Sequence, residues 1–470
     1  MAIEKKSLFT RTKFFWAIVL LIVFVIFAAV ARLSLLLKFA YPALAFMVGA
    51  VFYFRDPPLY VAYTWWIWFL NPLVRRVVDY QVGWDPLNPV TLTPYLVTML
   101  TFLTFFRWFQ RLFSSAGFPL GIILTGIGYG YFIGIVKNGA LSASYDLLMW
   151  MAPVLFAIHL MYFWRQYPQF RDIITRTFVW GIMVMGLYGI FQFFAPPVWD
   201  RYWVQNAPMG SIGFAEPFLL RIFSTLNSPG PFANVMLAGL LLIFSGKGLI
   251  RIFAAIPGYT SFFLSLVRAA WGGWLAGIIF MAVNATGRLR MRLIALSLIM
   301  GLLIFPLLSF GPIAERINER FRTFGFLRWD ASLSRRVEFH SEYMGRAFGN
   351  ILGEGFGSTG VATKLSGKVG ELGRFGDFDS GVMHIPFVLG WPGTFLYLGG
   401  LILLLFYAFS VKNRKKESFE IVSKAIILAV LIQIIFFLPF KGVVGMIFWT
   451  FLGIAISARE YNAVDHAKLE

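Results

Sequence analysis

Long apolar runs separated by short polar or basic breaks dominate this chain from end to end. A helix needs about 20 mostly apolar residues to cross the ~30 Å hydrocarbon layer of a bilayer. Fourteen runs approach that length, near 14–31, 39–54, 57–71, 91–106, 118–136, 146–163, 177–195, 231–245, 252–267, 269–284, 293–310, 386–410, 421–440 and 442–458. The third and ninth are short and the adjoining pairs are tight, so the expected count is 12–14. The first run ends in Ala29-Val30-Ala31, which mimics a leader cleavage site. It is longer than a leader's apolar region, and reads as a retained helix. The pattern predicts an all-α polytopic membrane protein of about 12–14 transmembrane helices with a large helical external loop.

The breaks sort by charge. Lys5, Lys6, Arg11 and Lys13 precede the first run, and Arg107 and Arg111 follow the fourth. Arg165, Arg171 and Arg176 follow the sixth, Arg288, Arg290 and Arg292 the tenth, and Lys412, Arg414, Lys415 and Lys416 the twelfth. Short basic loops stay in the cytoplasm, so this alternation predicts both termini there. Three connections are then external: 72–90, 196–230 and 311–385. The domain reading follows: N-terminal helices over 1–210, core helices over 211–310, the large loop over 311–385 and C-terminal helices over 386–470.

Composition narrows the chemistry. Of 470 residues 59% are hydrophobic and 13% charged, against about 25% charged in a soluble domain. There is no cysteine, which excludes disulfides, thiolate nucleophiles and Cys-ligated metals. The four histidines, His159, His340, His384 and His466, are too far apart for a helical metal pair, so no metal or other cofactor is expected. The net charge of +19 fits topology signals and anionic lipid, and no motif points to nucleic acid.

The large loop holds eight arginines, two lysines and nine carboxylates over 311–380. "AERINERFRTFGF" spaces Ile317, Phe321 and Phe324 as an amphipathic helix at the membrane surface, and "SLSRRVEFHSEYMGRAFGN" predicts a second helix. "ILGEGFGSTG" is a tight-turning stretch where backbone approaches a ligand closely. It lacks the lysine of a phosphate-binding P-loop. "NATG" at 284–287 fits a glycosylation acceptor but falls on the cytoplasmic side.

Several guanidiniums share one external depth. Arg221 precedes Asn227-Ser228-Pro229-Gly230-Pro231, a helix break whose backbone N–H groups suit an anion. Arg268 sits between the ninth and tenth runs beside Ala269, Ala270, Gly272 and Gly273, small enough to admit a headgroup, and Arg335 and Arg336 lie in the loop. Guanidinium stays charged and grips phosphate bidentately, so the set favours phosphate or pyrophosphate. Asp377, Asp379 and His384 precede the next run. Asp379 fits a general base, or with Ser380 a helix N-cap.

Four stretches resemble the bacterial O-antigen ligase and polymerase superfamily of membrane glycosyltransferases. "RIFSTLNSPGPFA" (221–233) is similar to its Arg-x-x-x-Thr-x-x-x-Pro helix entry, and "LSLVRAAWGGW" (264–274) to its Ser-x-x-Arg-(Gly/Ala) element. "SLSRRVEF…ILGEGFGSTG" (332–360) resembles its arginine helix before Gly-x-Gly. Asp379-Ser380, nine residues and then Gly390-Trp391-Pro392-Gly393 matches its His-(Asn/Ser/Gln), nine residues, Gly-x-x-(Gly/Thr/Tyr) spacing, with aspartate in place of histidine. The likeness covers roughly residues 215–400. It implies a GT-C-like fold in the bacterial inner membrane and metal-independent, inverting transfer at the periplasmic face. The implied donor is an undecaprenyl-pyrophosphate-linked glycan and the acceptor a glycan or glycolipid. Arg221 and Arg268 would hold the pyrophosphate, Arg335 or Arg336 would contact it, and residue 379 would activate the acceptor, with His384 and His340 as other bases. The aspartate favours a polysaccharide polymerase over a ligase to lipid A core. An anion transporter of bicarbonate-like substrates is the alternative from another class, since arginines and broken helices serve any anion.

Overall fold

The structure is a computed structural model that describes residues 18–113, 117–207, 212–246, 248–285, 287–308, 311, 314–315, 331–367, 380–410, 417–436 and 439–467. Each of the fourteen apolar runs coincides with a helix. They are α1 (Ile18–Val30), α2 (Ser34–Arg55), α3 (Pro57–Val82), α4 (Pro89–Leu112), α5 (Phe118–Asn138), α6 (Ala140–Tyr162) and α7 (Tyr167–Phe194). A short α8 (Val198–Asn206) follows, then α9 (Pro229–Leu242), α10 (Ile250–Leu264), α11 (Arg268–Asn284) and α12 (Gly287–Leu308). The loop helix α13 (Ala331–Gly349) precedes α14 (Gly381–Phe409), α15 (Ser418–Phe436) and α16 (Gly442–Ala467). Eight helices among the described residues are long and apolar enough to cross a membrane. No strand ladder occurs among those residues, only an isolated bridge between Gly213 and Leu220.

Local chemistry sets the turns. Asp56 separates α2 from α3 and its carboxylate accepts from the Leu59 N–H (3.0 Å), with Pro57 at the first helical position. The structure departs from the sequence pattern at α3, which runs to Val82 instead of stopping at residue 71. Pro72 lies inside the helix, and Arg75 and Asp79 pair one turn apart, so proline and charge do not end it. Much of the predicted external connection 72–90 is therefore helix. α16 is the central post: 83% of its apolar window is buried, against 33% for the peripheral α2. Outward-facing Phe27, Leu35, Phe54, Val136 and Phe406 are exposed, as a lipid-facing surface requires.

The connections gather at one end of the bundle, called here the loop-bearing end. There the Trp84 N–H donates to the Tyr202 hydroxyl, Arg221 reaches Ser265, and Ser142 and Lys441 reach residues of the 350–367 segment.

Within that segment the glycine-rich stretch forms a wedge against the protein's own helices. A Cβ on Gly355 would stand 2.3 Å from the Gly134 nitrogen in α5, and one on Gly353 would stand 2.3 Å from the Gly390 nitrogen in α14. Gly390 adopts φ 60°, ψ −176° and splits α14 into two halves. The wedge meets the polar groups that this break frees: Glu354 and Gly355 N–H donate to the Phe387 and Val388 carbonyls (2.7 and 2.9 Å), and Trp391 N–H to Ile351 (2.9 Å). Irregular backbone at membrane depth is tolerated where protein satisfies it in this way. The close backbone approach inferred for this stretch is thus made to α5 and α14. Gly355→Val should cost about 1–3 kcal/mol from forced overpacking and lower the thermal midpoint of purified protein. Gly399→Ala, which meets open space inside a helix, should leave that midpoint unchanged or raise it slightly.

Candidate functional site

The loop-bearing end is organised by buried ion pairs. Arg76 of α3 and Asp200 of α8 lie 3.0 Å apart, both with side chains wholly buried. Arg76 Nη2 also donates to the Ser224 carbonyl (2.5 Å), and its guanidinium lies 4.7 Å from the Phe223 ring centroid. Asp200 further accepts from Gln192 (2.7 Å) and Tyr188 (3.0 Å). Burial raises the Asp200 pKa above its ordinary 3.8, while Arg76 and the two donors pull it back toward the ionised form. Beside this pair, Arg75 reaches Asp79 (3.3 Å) and packs over Trp203, its guanidinium 5.0 Å from the ring centroid.

These groups clamp the stretch that follows Arg221. Ser224 holds φ +52°, a left-handed conformation that costs a non-glycine residue about 1–3 kcal/mol. The Gln192 side-chain oxygen accepts from the Phe223 and Ser224 N–H groups (3.1 and 2.9 Å), and Thr225 donates to the Phe69 carbonyl (2.6 Å). Trp203 donates to the Asn227 carbonyl (3.0 Å). The strained turn is held from three helices, α3, α7 and α8.

Arg221 itself reaches the junction between α10 and α11. Its Nε donates to the Ser265 carbonyl (3.2 Å) and its Nη2 to the Leu266 carbonyl (3.1 Å), while Leu266 carries φ +55°. Arg268 opens α11 two residues later and is half-buried. The N-cap residue Val267 supplies no side-chain acceptor, so the positive end of the α11 dipole faces this junction uncapped by a side chain. The expected anion-favouring end of α9 is poorer. Pro229 and Pro231 carry no N–H, which leaves Gly230 as the one donor of the first three helical positions.

The last turn of α15 joins this junction to the start of α14. Gln433 Nε2 donates to the Ala269 carbonyl (2.6 Å), and Ser380 Oγ donates to the Ile435 carbonyl (3.1 Å). The residue next to Arg268 and the residue next to position 379 are therefore tied to one helical turn. Asp377 and Asp379 lie outside the described residues. Ser380 is the N-cap of α14, and its side chain makes no capping bond there. Arg335, Arg336 and His340 are on α13, and their side chains lie outside the described set.

His384 is wholly buried on the first turn of α14, stacked on Trp150 (ring centroids 5.5 Å, 21°). Its Nε2 lies 3.3 Å from Thr359 Oγ1, which accepts from Lys441 Nζ (3.3 Å). Lys441 in turn lies 3.6 Å from Asp146. His384 is thus one member of an internal chain that fastens the wedge to α6, α14 and the entry of α16. Asp146, Thr359 and Lys441, like Arg76 and Asp200, escaped the sequence reading. The four charged members carry one local signal, ionisable residues at the edges of apolar runs, but nothing local says which of them pair.

The class these elements define is an all-α, multi-pass membrane protein. Neither protein-family models nor curated proteins give a match to the chain. Removing one charge from the Arg76–Asp200 pair strands the other in a dry site. Arg76→Met should therefore destabilise the protein by about 3–5 kcal/mol, read as a large fall in thermal midpoint. Arg76→Met combined with Asp200→Leu should recover part of that loss.

Proposed function

We propose that the chain is a bacterial inner-membrane glycosyltransferase that polymerises a polysaccharide from an undecaprenyl-pyrophosphate-linked donor at the periplasmic face. The observation that carries this reading is the convergence just described. Arg221 reaches the junction at which Arg268 opens α11, a helix start without a side-chain cap, and one turn of α15 ties that start to the residue beside Asp379.

In this reading the acceptor hydroxyl attacks the anomeric carbon of the donor sugar from the face opposite the pyrophosphate. A new glycosidic C–O bond forms as the bond to the pyrophosphate oxygen breaks, with inversion. The hydroxyl proton passes to Asp379, and the electron pair leaves on the lipid pyrophosphate. Guanidiniums fixed before the reaction, together with the helix dipole, stabilise the charge that grows on that leaving group. No nucleotide is needed, because the sugar arrives already activated on its lipid, and metal independence is what the resemblance implies.

Arg268→Ala should lower turnover by about 100- to 1000-fold, the effect of removing one fixed charge-stabilising group. Arg268→Lys should fall between, since it keeps charge and loses the fork. Arg221→Ala removes contacts to Ser265 and Leu266 as well, so its protein level must be matched to wild type. The readout is long-chain surface glycan on a gel from cells expressing each variant and Asp379→Ala. Normal glycan in all of them at equal protein would overturn the reading. Purified protein given lipid-linked repeat unit alone should extend it. Growth only after addition of lipid A core would point to a ligase. Anion uptake into vesicles without glycan transfer would point to the transporter, which draws support from the same helix breaks.

A further inference from the structure

We infer that Asn234 of α9 and Gln433 of α15 form a subsite that reads the hydroxyl or amide N–H groups of the sugar carried next to the pyrophosphate. This inference rests on the glycosyl-transfer reading above and adds a specificity element to the same site. Both side chains are enclosed, at 0% and 1% exposure. The nitrogen of each amide is already committed: Asn234 Nδ2 donates to the Gly230 carbonyl (3.0 Å) and Gln433 Nε2 to the Ala269 carbonyl (2.6 Å). Those bonds fix which end of each amide is oxygen. The two oxygens, Asn234 Oδ1 and Gln433 Oε1, are sealed from solvent and have no hydrogen-bond partner. A buried carbonyl oxygen without a donor is rare and costly, and two at one site call for a donor that arrives from outside.

The two amides stand at one level of the bundle. The position of a Cβ on Gly273 of α11 lies 2.6 Å from Gln433 Nε2 and 3.3 Å from Leu237 Cδ1. Asn234 precedes Leu237 by three residues on the same face of α9, and so lies one turn nearer the loop-bearing end. Both amides therefore flank the first turn of α11, which Arg268 opens.

Their chemistry divides the ligand. An oxygen that only accepts attracts hydroxyl and amide hydrogens and disfavours phosphate oxygens, which the arginines take. A polyprenyl chain offers no hydrogen to donate. The sugar is the part of the donor that fits, and binding requires the enclosing side chains to part by about the width of one hydroxyl group. The competing occupant is water.

The test compares two probes in lipid nanodiscs, undecaprenyl pyrophosphate and undecaprenyl-pyrophosphoryl-N-acetylglucosamine. A third arm uses a panel of soluble methyl glycosides followed by saturation-transfer NMR, which needs no pyrophosphate contact. Wild type should bind the sugar-bearing lipid about tenfold more tightly than the bare one, the contribution of one or two hydrogen bonds to a buried site. Asn234→Ala should lose that difference while keeping its affinity for the bare lipid. Gln433→Met should do the same, and the Asn234 variant covers the case in which loss of the Ala269 contact unfolds the protein. If wild type binds neither lipid but takes up a glycoside that Asn234→Ala does not, the subsite stands and the pyrophosphate reading falls. Equal binding of both lipids by wild type, an unchanged preference in the variants, or no binding of any sugar probe would overturn the inference and assign both oxygens to water.

Discussion

Two charges shut away from both water and lipid, on Arg76 and Asp200, hold the loop-bearing end together. Their mutual attraction offsets a large desolvation cost, and Gln192, Tyr188 and the Ser224 carbonyl add further hydrogen bonds. Such a pair adds little net stability compared with apolar residues of equal volume. What it supplies is position: α3, α8 and the turn after Arg221 have one mutual arrangement in which no charge is orphaned. The left-handed Ser224 persists because the surroundings over-determine it. Arg221 therefore arrives at the α10–α11 junction as a fixed group, and the reading of that junction as an anion site depends on this constraint.

Close backbone contact does the corresponding work on the other side. The wedge enters between α5 and the broken α14 because the facing positions are glycines, and its N–H groups satisfy carbonyls that the break at Gly390 frees. Asp146, Lys441, Thr359 and His384 then fasten the wedge with a buried chain of polar contacts. Of the four stretches that carry the family resemblance, 332–360 and the described part of the last one, 380–393, pack on each other through this wedge. The other two, 221–233 and 264–274, pack through Arg221 and through the Ile222 N–H on the Leu264 carbonyl (3.3 Å). The α15 turn at Gln433 and Ile435 joins the two pairs.

The crossing helices were legible because runs of about 20 apolar residues have few alternatives. The end of α3 was not, because Pro72, Arg75, Arg76 and Asp79 look like a loop until a partner far along the chain is known. Asp200 supplies that partner, and no local pattern announces it. The glycines of 353–357 carry one signal with two causes, since a missing side chain admits either a ligand or another helix. Here the neighbour is helix. The prolines at 229 and 231 mark the helix start correctly, yet the same residues remove the donors that an anion would use there. The pair Arg221 and Arg268 was legible as two guanidiniums at one depth. The orientation of Arg221 on two backbone carbonyls was not, because it depends on the left-handed Leu266 turn.

In the proposed function, the clamp built on Arg76 and Asp200 makes a pyrophosphate seat of the α10–α11 junction. A density map of the protein in nanodiscs saturated with undecaprenyl pyrophosphate tests it most directly. The pyrophosphate is expected at the first turn of α11, within hydrogen-bonding distance of both Arg221 and Arg268, with the Arg76–Asp200 contact intact. Pyrophosphate bound elsewhere on the protein, or a junction unchanged at saturating lipid, would contradict it.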